Sequence, residues 1–198
     1  MNYSKVKFNK CIRLLKPIVD AFSSTIVGIE REYVIESIFI TKNNRIGVVI
    51  LGSMGFRCGY ISIGENDLLE DYEYYEIDVH GGLTYQGKDN IDEVIKNKLT
   101  PEEFNYIKKN ITYIGFDCGH YTDGNSYADL IEYGVEVEHQ FSIGGQVKTL
   151  DYVKNEIQKM DSQLKKTNIK VRKKLDTLIQ TRLVFERGRF KFKGKKNG

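Results

Sequence analysis

The apolar positions of this chain change period early, and the change separates helix from sheet. From Phe8 to Phe22 (FNKCIRLLKPIVDAF), Cys11, Leu14, Leu15, Ile18 and Val19 recur at helical spacing on one face, which predicts a short amphipathic helix that Pro17 should kink or restart. From Tyr33 the pattern is that of strands. In YVIESIFITKNNRIGVVILG, β-branched and aromatic runs flank Lys42-Asn43-Asn44-Arg45, the chemistry of a hairpin turn. A third run, Phe56 to Ile63 (FRCGYISI), follows Gly52-Ser53-Met54-Gly55, so three successive antiparallel strands are expected.

Further along, Glu65 to Asp78 holds seven acids and no base, interleaved with Tyr72, Tyr74 and Tyr75, and reads as a solvated loop. It leads into Glu76 to Tyr85 (EIDVHGGLTY), a strand broken at its glycines. Between Asp89 and Asn110 the spacing is helical. Thr100-Pro101-Glu102-Glu103 is a capping box with proline at the first helical position, and Phe104, Tyr106 and Ile107 point inward. Thr112 to Cys118 reads as a buried strand, residues 125–147 as a polar loop region, and Thr149 to Leu164 as a helix with Leu150, Val153, Ile157, Met160 and Leu164 on one stripe. Ile169 to Thr181 can extend that helix. The pattern as a whole predicts an α+β fold, a mainly antiparallel sheet packed by two or three helices, with a helical and basic C-terminal extension.

Composition changes this picture in two ways. At 198 residues with 40% hydrophobic side chains the chain is one domain with an appendage, which excludes a repeat array, a large two-domain enzyme and wholesale disorder. The net charge of +3 also conceals a division. Residues 165–198 hold 13 Lys or Arg against two acids, so the remainder is acidic, with 17 basic and 25 acidic side chains. The basic end, with Phe190 and Phe192 interleaved, can neutralise phosphates and stack bases, or can lie on the acidic body of another copy in a homo-oligomer. Nucleic acid could therefore be a partner through the tail only. Three cysteines without a CxxC pair fit a reduced cytoplasm, and no apolar run has the quality of a leader or a membrane span.

Candidate chemistry concentrates in two segments. In Asp78-Val79-His80-Gly81-Gly82 a strand would turn Asp78 and His80 to the same side, just before two conformationally permissive glycines. In Asp117-Cys118-Gly119-His120-Tyr121-Thr122-Asp123 ionisable groups follow a buried strand, where functional side chains commonly sit. Side by side, the two segments would form one polar cluster open to several uses. His80, His120 and two aspartates could ligate zinc, manganese or iron, although the spacing matches no metal motif and no cofactor is assigned. Cys118 could act as a nucleophile with His80 or His120 as its base. Asp78, His80, Gly81, Gly82, Asp117, Cys118, His120 and Asp123 could instead line a ligand pocket, with carboxylates on hydroxyls or amines, imidazoles on phosphate and the glycine amides as an anion nest. The plain alternative has Asp117 capping a turn and both histidines hydrogen-bonded in the core. His139 is isolated on a solvated segment, and Gly144-Gly145 lacks the strand and helix context of a dinucleotide fold.

Cys58-Gly-Tyr60, Asp78-Val-His-Gly-Gly-Leu-Thr84, Gly115-Phe-Asp-Cys-Gly-His120 with Asp123, and the helix opening Tyr152-Val-Lys-Asn-Glu156 together resemble a family of small phage and prophage proteins. The resemblance covers about residues 56–166. It implies an α+β body over 56–166 carrying the pocket, an N-terminal helix and hairpin extension over 1–55, and a basic extension over 167–198. It further implies a phage-type accessory protein acting in the host cytoplasm against defence, one that binds and sequesters a small nucleotide-derived signal such as an ADP-ribose derivative or a cyclic nucleotide. A hydrolase degrading such a signal, and a nucleic-acid or protein-binding module working through the tail, are the alternatives. This sequence departs from the family in residues 1–50, in Tyr121-Thr122 and in its long tail.

Overall fold

The structure, a computed structural model, describes residues 3–22, 27–29, 33–64, 67, 76–87, 96–137, 144–167, 173 and 177. Helix α1 (Tyr3–Ala21) is followed by β1 (Gly28–Ile29), β2 (Tyr33–Ile40), β3 (Ile46–Gly52), β4 (Arg57–Ile63), β5 (Tyr85–Gly87), α2 (Pro101–Asn110), β6 (Thr112–Asp117), β7 (Asp123–Gly124), α3 (Tyr127–Glu132) and β8 (Gln146–Val147). A last helix, α4, occupies residues 150–167. Six strands pair antiparallel in the order β1-β2-β3-β4-β6-β5, and β7 pairs with β8 as a separate parallel ribbon. The fold is α+β, as the pattern predicts.

Strand alternation sends successive side chains to opposite faces, and each face has its own core. On one, Ile35, Ile38, Ile46, Val48, Ile50 and Tyr113 pack with Cys11, Ile12, Leu15 and Val19 of α1 and Ile107 of α2. On the other, Val49, Ile61, Ile63, Ile114, Phe116 and Cys118 pack under Val153, Ile157, Met160 and Leu164, the predicted stripe of α4. Burying an isoleucine or leucine fully contributes about 1.5–3 kcal/mol, so these two layers dominate the stability. The capping box at Thr100 is present in both directions.

Three expectations are corrected. Helix α1 is longer than Phe8–Phe22 and runs through Pro17, because Pro17 and Arg13 are exposed and the carbonyl that loses its N–H partner is on the solvent side. The polar region 125–147 contains α3 and β8, elements too short to show a period. The segment 76–85 is not a broken strand, since strand geometry begins only at Tyr85, after the glycines. The strands of the N-terminal extension are continuous with β4 and β6 in one sheet.

A bulge in β2 builds the first polar centre. Ile35 pairs with Ile50 and Ser37 with Val49, leaving Glu36 as the extra residue. Its buried carboxylate takes Nε and Nη2 of Arg57 at 2.7 and 2.8 Å. Arg57 Nη1 donates to Ser126 Oγ and the Lys148 carbonyl, and Nη2 also reaches Asp129 at 2.6 Å. All five guanidinium donors are thereby used. No helix among the described residues is long and apolar enough to cross a membrane. Most of the acidic stretch 65–78, His139 and nearly all of the basic extension lie outside the described residues.

Candidate functional site

Two reverse turns present the site. In the first, Gly82 N–H donates to Val79 O at 2.9 Å, and Gly81, the third residue of that turn, has φ +66°. A positive φ at this position is what a type II turn requires and what glycine supplies without strain. Gly81 has a second constraint, because a Cβ there would lie 1.9 Å from Cε1 of His120. The glycine lets an imidazole rest on the backbone. One of the two amides of the expected nest is already committed inside the turn.

The second turn joins His120 to Asp123. Asp123 N–H donates to His120 O at 2.8 Å, and Asp123 Oδ2 accepts the His120 amide at 3.1 Å. The same oxygen lies 3.2 Å from His120 Nδ1 and 2.8 Å from His80 Nε2. One fully buried carboxylate oxygen thus gathers both histidines, whose rings meet edge to face at 5.2 Å. Among the described residues its partner Oδ1 has no hydrogen bond, and only the Lys148 ammonium approaches it, at 3.5 Å.

Lys148 arrives through the β7–β8 ribbon. A Cβ on Gly124 would lie 2.5 Å from Gly145 O, and one on Gly145 2.6 Å from Thr122 O, so the two backbones touch where neither residue has a side chain. This close packing accounts for Gly145. Thr149 then caps α4, accepting the Tyr152 amide on Oγ1 at 3.2 Å. The polar ridge of α4 holds the first turn. Tyr152 OH is 3.0 Å from His80 Nδ1, Glu156 Oε2 accepts the His80 amide at 3.1 Å, and Gln163 bonds both the amide and the carbonyl of Asp78.

Charge and tautomer follow. Burial works to raise the pKa of Asp123, but the hydrogen bonds from His80 and the His120 amide outweigh it and hold the carboxyl below its ordinary value. An ionised carboxylate only accepts, so neutral His80 carries its proton on Nε2 and neutral His120 on Nδ1. Tyr152 donates to His80 Nδ1, and burial together with the Glu156 carboxylate keeps this hydroxyl protonated. Both nitrogens of His80 are therefore engaged. His120 Nε2 remains uncommitted among the described residues, on a ring that is 36% exposed.

Of the residues singled out in the sequence, His80, Gly81, His120 and Asp123 converge, with Gly82 closing the first turn. The Asp78 side chain is exposed alongside, its main chain held by Gln163. Asp117 accepts the Gly119 amide at 3.0 Å, the turn-capping role of the plain alternative. It alternates with Cys118 and so faces the other side of the sheet, near Cys58 and Tyr60. Cys118 is buried beneath α4, and burial followed by the Asp123 charge pushes its thiol up to about 12, which leaves no nucleophilic thiolate at neutral pH. Lys148, Tyr152 and Glu156 were not among the candidates. The available signal was Tyr152 and Glu156 at i and i+4, one residue before the apolar pair Val153 and Ile157.

No protein-family profile, curated protein or solved structure matches the chain. The phage-family resemblance rests on the residues quoted for it.

Proposed function

We propose that the chain is a phage-type accessory protein that binds and sequesters a small nucleotide-derived signal, of the ADP-ribose or cyclic-nucleotide class, at His80, His120 and Asp123. The observation that carries this reading is the half-exposed His120, held at Nδ1 by a buried carboxylate whose other oxygen faces the Lys148 ammonium, with Nε2 uncommitted among the described residues. In its protonated form an imidazole fixed in this way donates from Nε2, which suits a phosphate oxygen. Asp78, exposed at the edge, is the carboxylate available to ribose hydroxyls, and Tyr121, 96% exposed between His120 and Asp123, offers a face for a base. Calorimetry with ADP-ribose derivatives and cyclic dinucleotides tests the reading, and binding of none of them would overturn it.

A hydrolase acting on the same ligands is the second reading, favoured by one feature. An Asp123–His120 pair with a free Nε2 has the arrangement of a general base and its orienting carboxylate. Heating the loaded protein separates the two, since a sequestering protein releases intact ligand and an enzyme releases product.

A further inference from the structure

We propose that His80 Nε2, His120 Nδ1 and Asp123 Oδ2 form a site for one divalent first-row transition-metal ion of the zinc type, with its remaining coordination open beside the exposed edge of His120. Among the described residues these three are the one group of histidine, cysteine and carboxylate ligands close enough to share an ion, their ligand atoms all lying within 4.8 Å of one another. Around a tetrahedral ion with bonds of about 2.0–2.1 Å, ligand atoms stand about 3.3 Å apart. Asp123 Oδ2 is already 2.8 Å from His80 Nε2 and 3.2 Å from His120 Nδ1, within a few tenths of an ångström of that spacing, so the ion would be admitted mainly by an adjustment of the two imidazoles relative to each other.

The surroundings fit as well as the spacing. Metal-bound histidines are usually held at their other nitrogen, and Tyr152 OH holds His80 Nδ1 at 3.0 Å. On metal binding each imidazole moves its proton to the nitrogen away from Asp123, so His80 Nδ1 becomes the donor to Tyr152 and no proton need leave the site. Asp123 is fully buried and its Oδ1 has no hydrogen bond among the described residues, which leaves that oxygen to the Lys148 ammonium while Oδ2 takes the ion. Two histidines and one carboxylate with open positions are a donor set for divalent iron, zinc or manganese rather than for calcium. In the nucleotide-binding reading, on which this last step alone rests, a phosphate oxygen takes the open position.

The test is a titration of the full chain, freed of metal by chelator, with Zn²⁺ alone and then with Co²⁺, whose visible absorption reports nitrogen and oxygen ligation. One equivalent should bind. The chain has three histidines, so His139→Ala serves as the internal control and should bind as the parent does. His120→Ala, at a half-exposed position in a turn, should weaken binding by about 100-fold, and His80→Ala likewise, since loss of a ligand costs at least as much as loss of its supporting partner. Absence of stoichiometric binding, binding unchanged in His120→Ala, or binding lost in His139→Ala would overturn the site. Calorimetry with the nucleotides is run separately on metal-free and zinc-loaded protein. Zinc binding without nucleotide binding sinks the functional reading and leaves the metal site standing, and nucleotide binding without zinc binding does the reverse.

Discussion

Two buried polar centres lie side by side beneath α3 and α4, and they are finished differently. Around Arg57 every guanidinium hydrogen has an acceptor, Glu36 is held by two parallel bonds, and Tyr133 adds a third donor to that carboxylate at 3.0 Å. Around Asp123 one oxygen is crowded and the other has, among the described residues, only an ammonium at 3.5 Å, while one imidazole edge is open to solvent. A satisfied network fixes strands and loops in place, whereas an unfinished one retains capacity for a ligand. Lys148 joins the two, its carbonyl accepting from Arg57 and its ammonium facing Asp123. The closed centre is the frame on which the open one is hung.

The largest effect should come from breaking the frame. Arg57→Ala leaves the buried Glu36 without its countercharge and should cost about 3–5 kcal/mol in a chemical denaturation experiment, as removing one partner of a buried pair does. A loss below 1 kcal/mol, on the scale of an exposed ion pair, would show that the two centres do not differ as described. Gly81→Ala comes next. The left-handed backbone alone costs an alanine about 1–2 kcal/mol, and the new methyl displaces the His120 ring, so melting temperature and ligand or metal binding should fall together. Asp123→Asn preserves shape and one acceptor oxygen, so its stability should change by only about 1 kcal/mol while binding is lost. Stability and binding thus part company at the open centre.

Acid should sharpen the same contrast. The carboxyl of Asp123 titrates below its ordinary 3.8, so its charge stabilises the fold fully above that value and the contribution disappears as pH falls through the lower folded value. The stability difference between the parent and Asp123→Asn should therefore shrink as pH falls below about 4. A difference that keeps growing below about pH 4 would mean that Asp123 is not held ionised by its neighbours.

The sheet and the long helices were legible because each repeats its period several times. Elements of two or six residues, such as β7, β8 and α3, have no period to read, and the bulge at Glu36 is a register event visible only once β3 is in place. The site divides in the same way. His120 and Asp123 stand three apart because a reverse turn needs that spacing, and His80-Gly81-Gly82 carries its own turn chemistry. Lys148 and Tyr152 reach the cluster only through the contact of two glycine backbones remote in sequence. Asp117 shows a signal passed over. Adjacent strand residues face opposite ways, so Asp117 and Cys118 could not both line one pocket.

Cys118 gives the smallest expected effect and tests the boundary between core and site. It follows β6 directly and lies close enough to Asp123 for that charge to act on its thiol, yet it packs with Ile77, Val79 and Val153 and is 1% exposed. A thiol at about 12, out of reach of solvent, should not react with iodoacetamide at pH 8 in the folded chain and should react fully in denaturant, as read by mass spectrometry. Rapid modification of Cys118 in the native protein would move it from the core into the site and revive a nucleophile beside His80. Protection places the division one residue wide, between Cys118, which closes the core, and the turn that begins at Gly119 and presents His120.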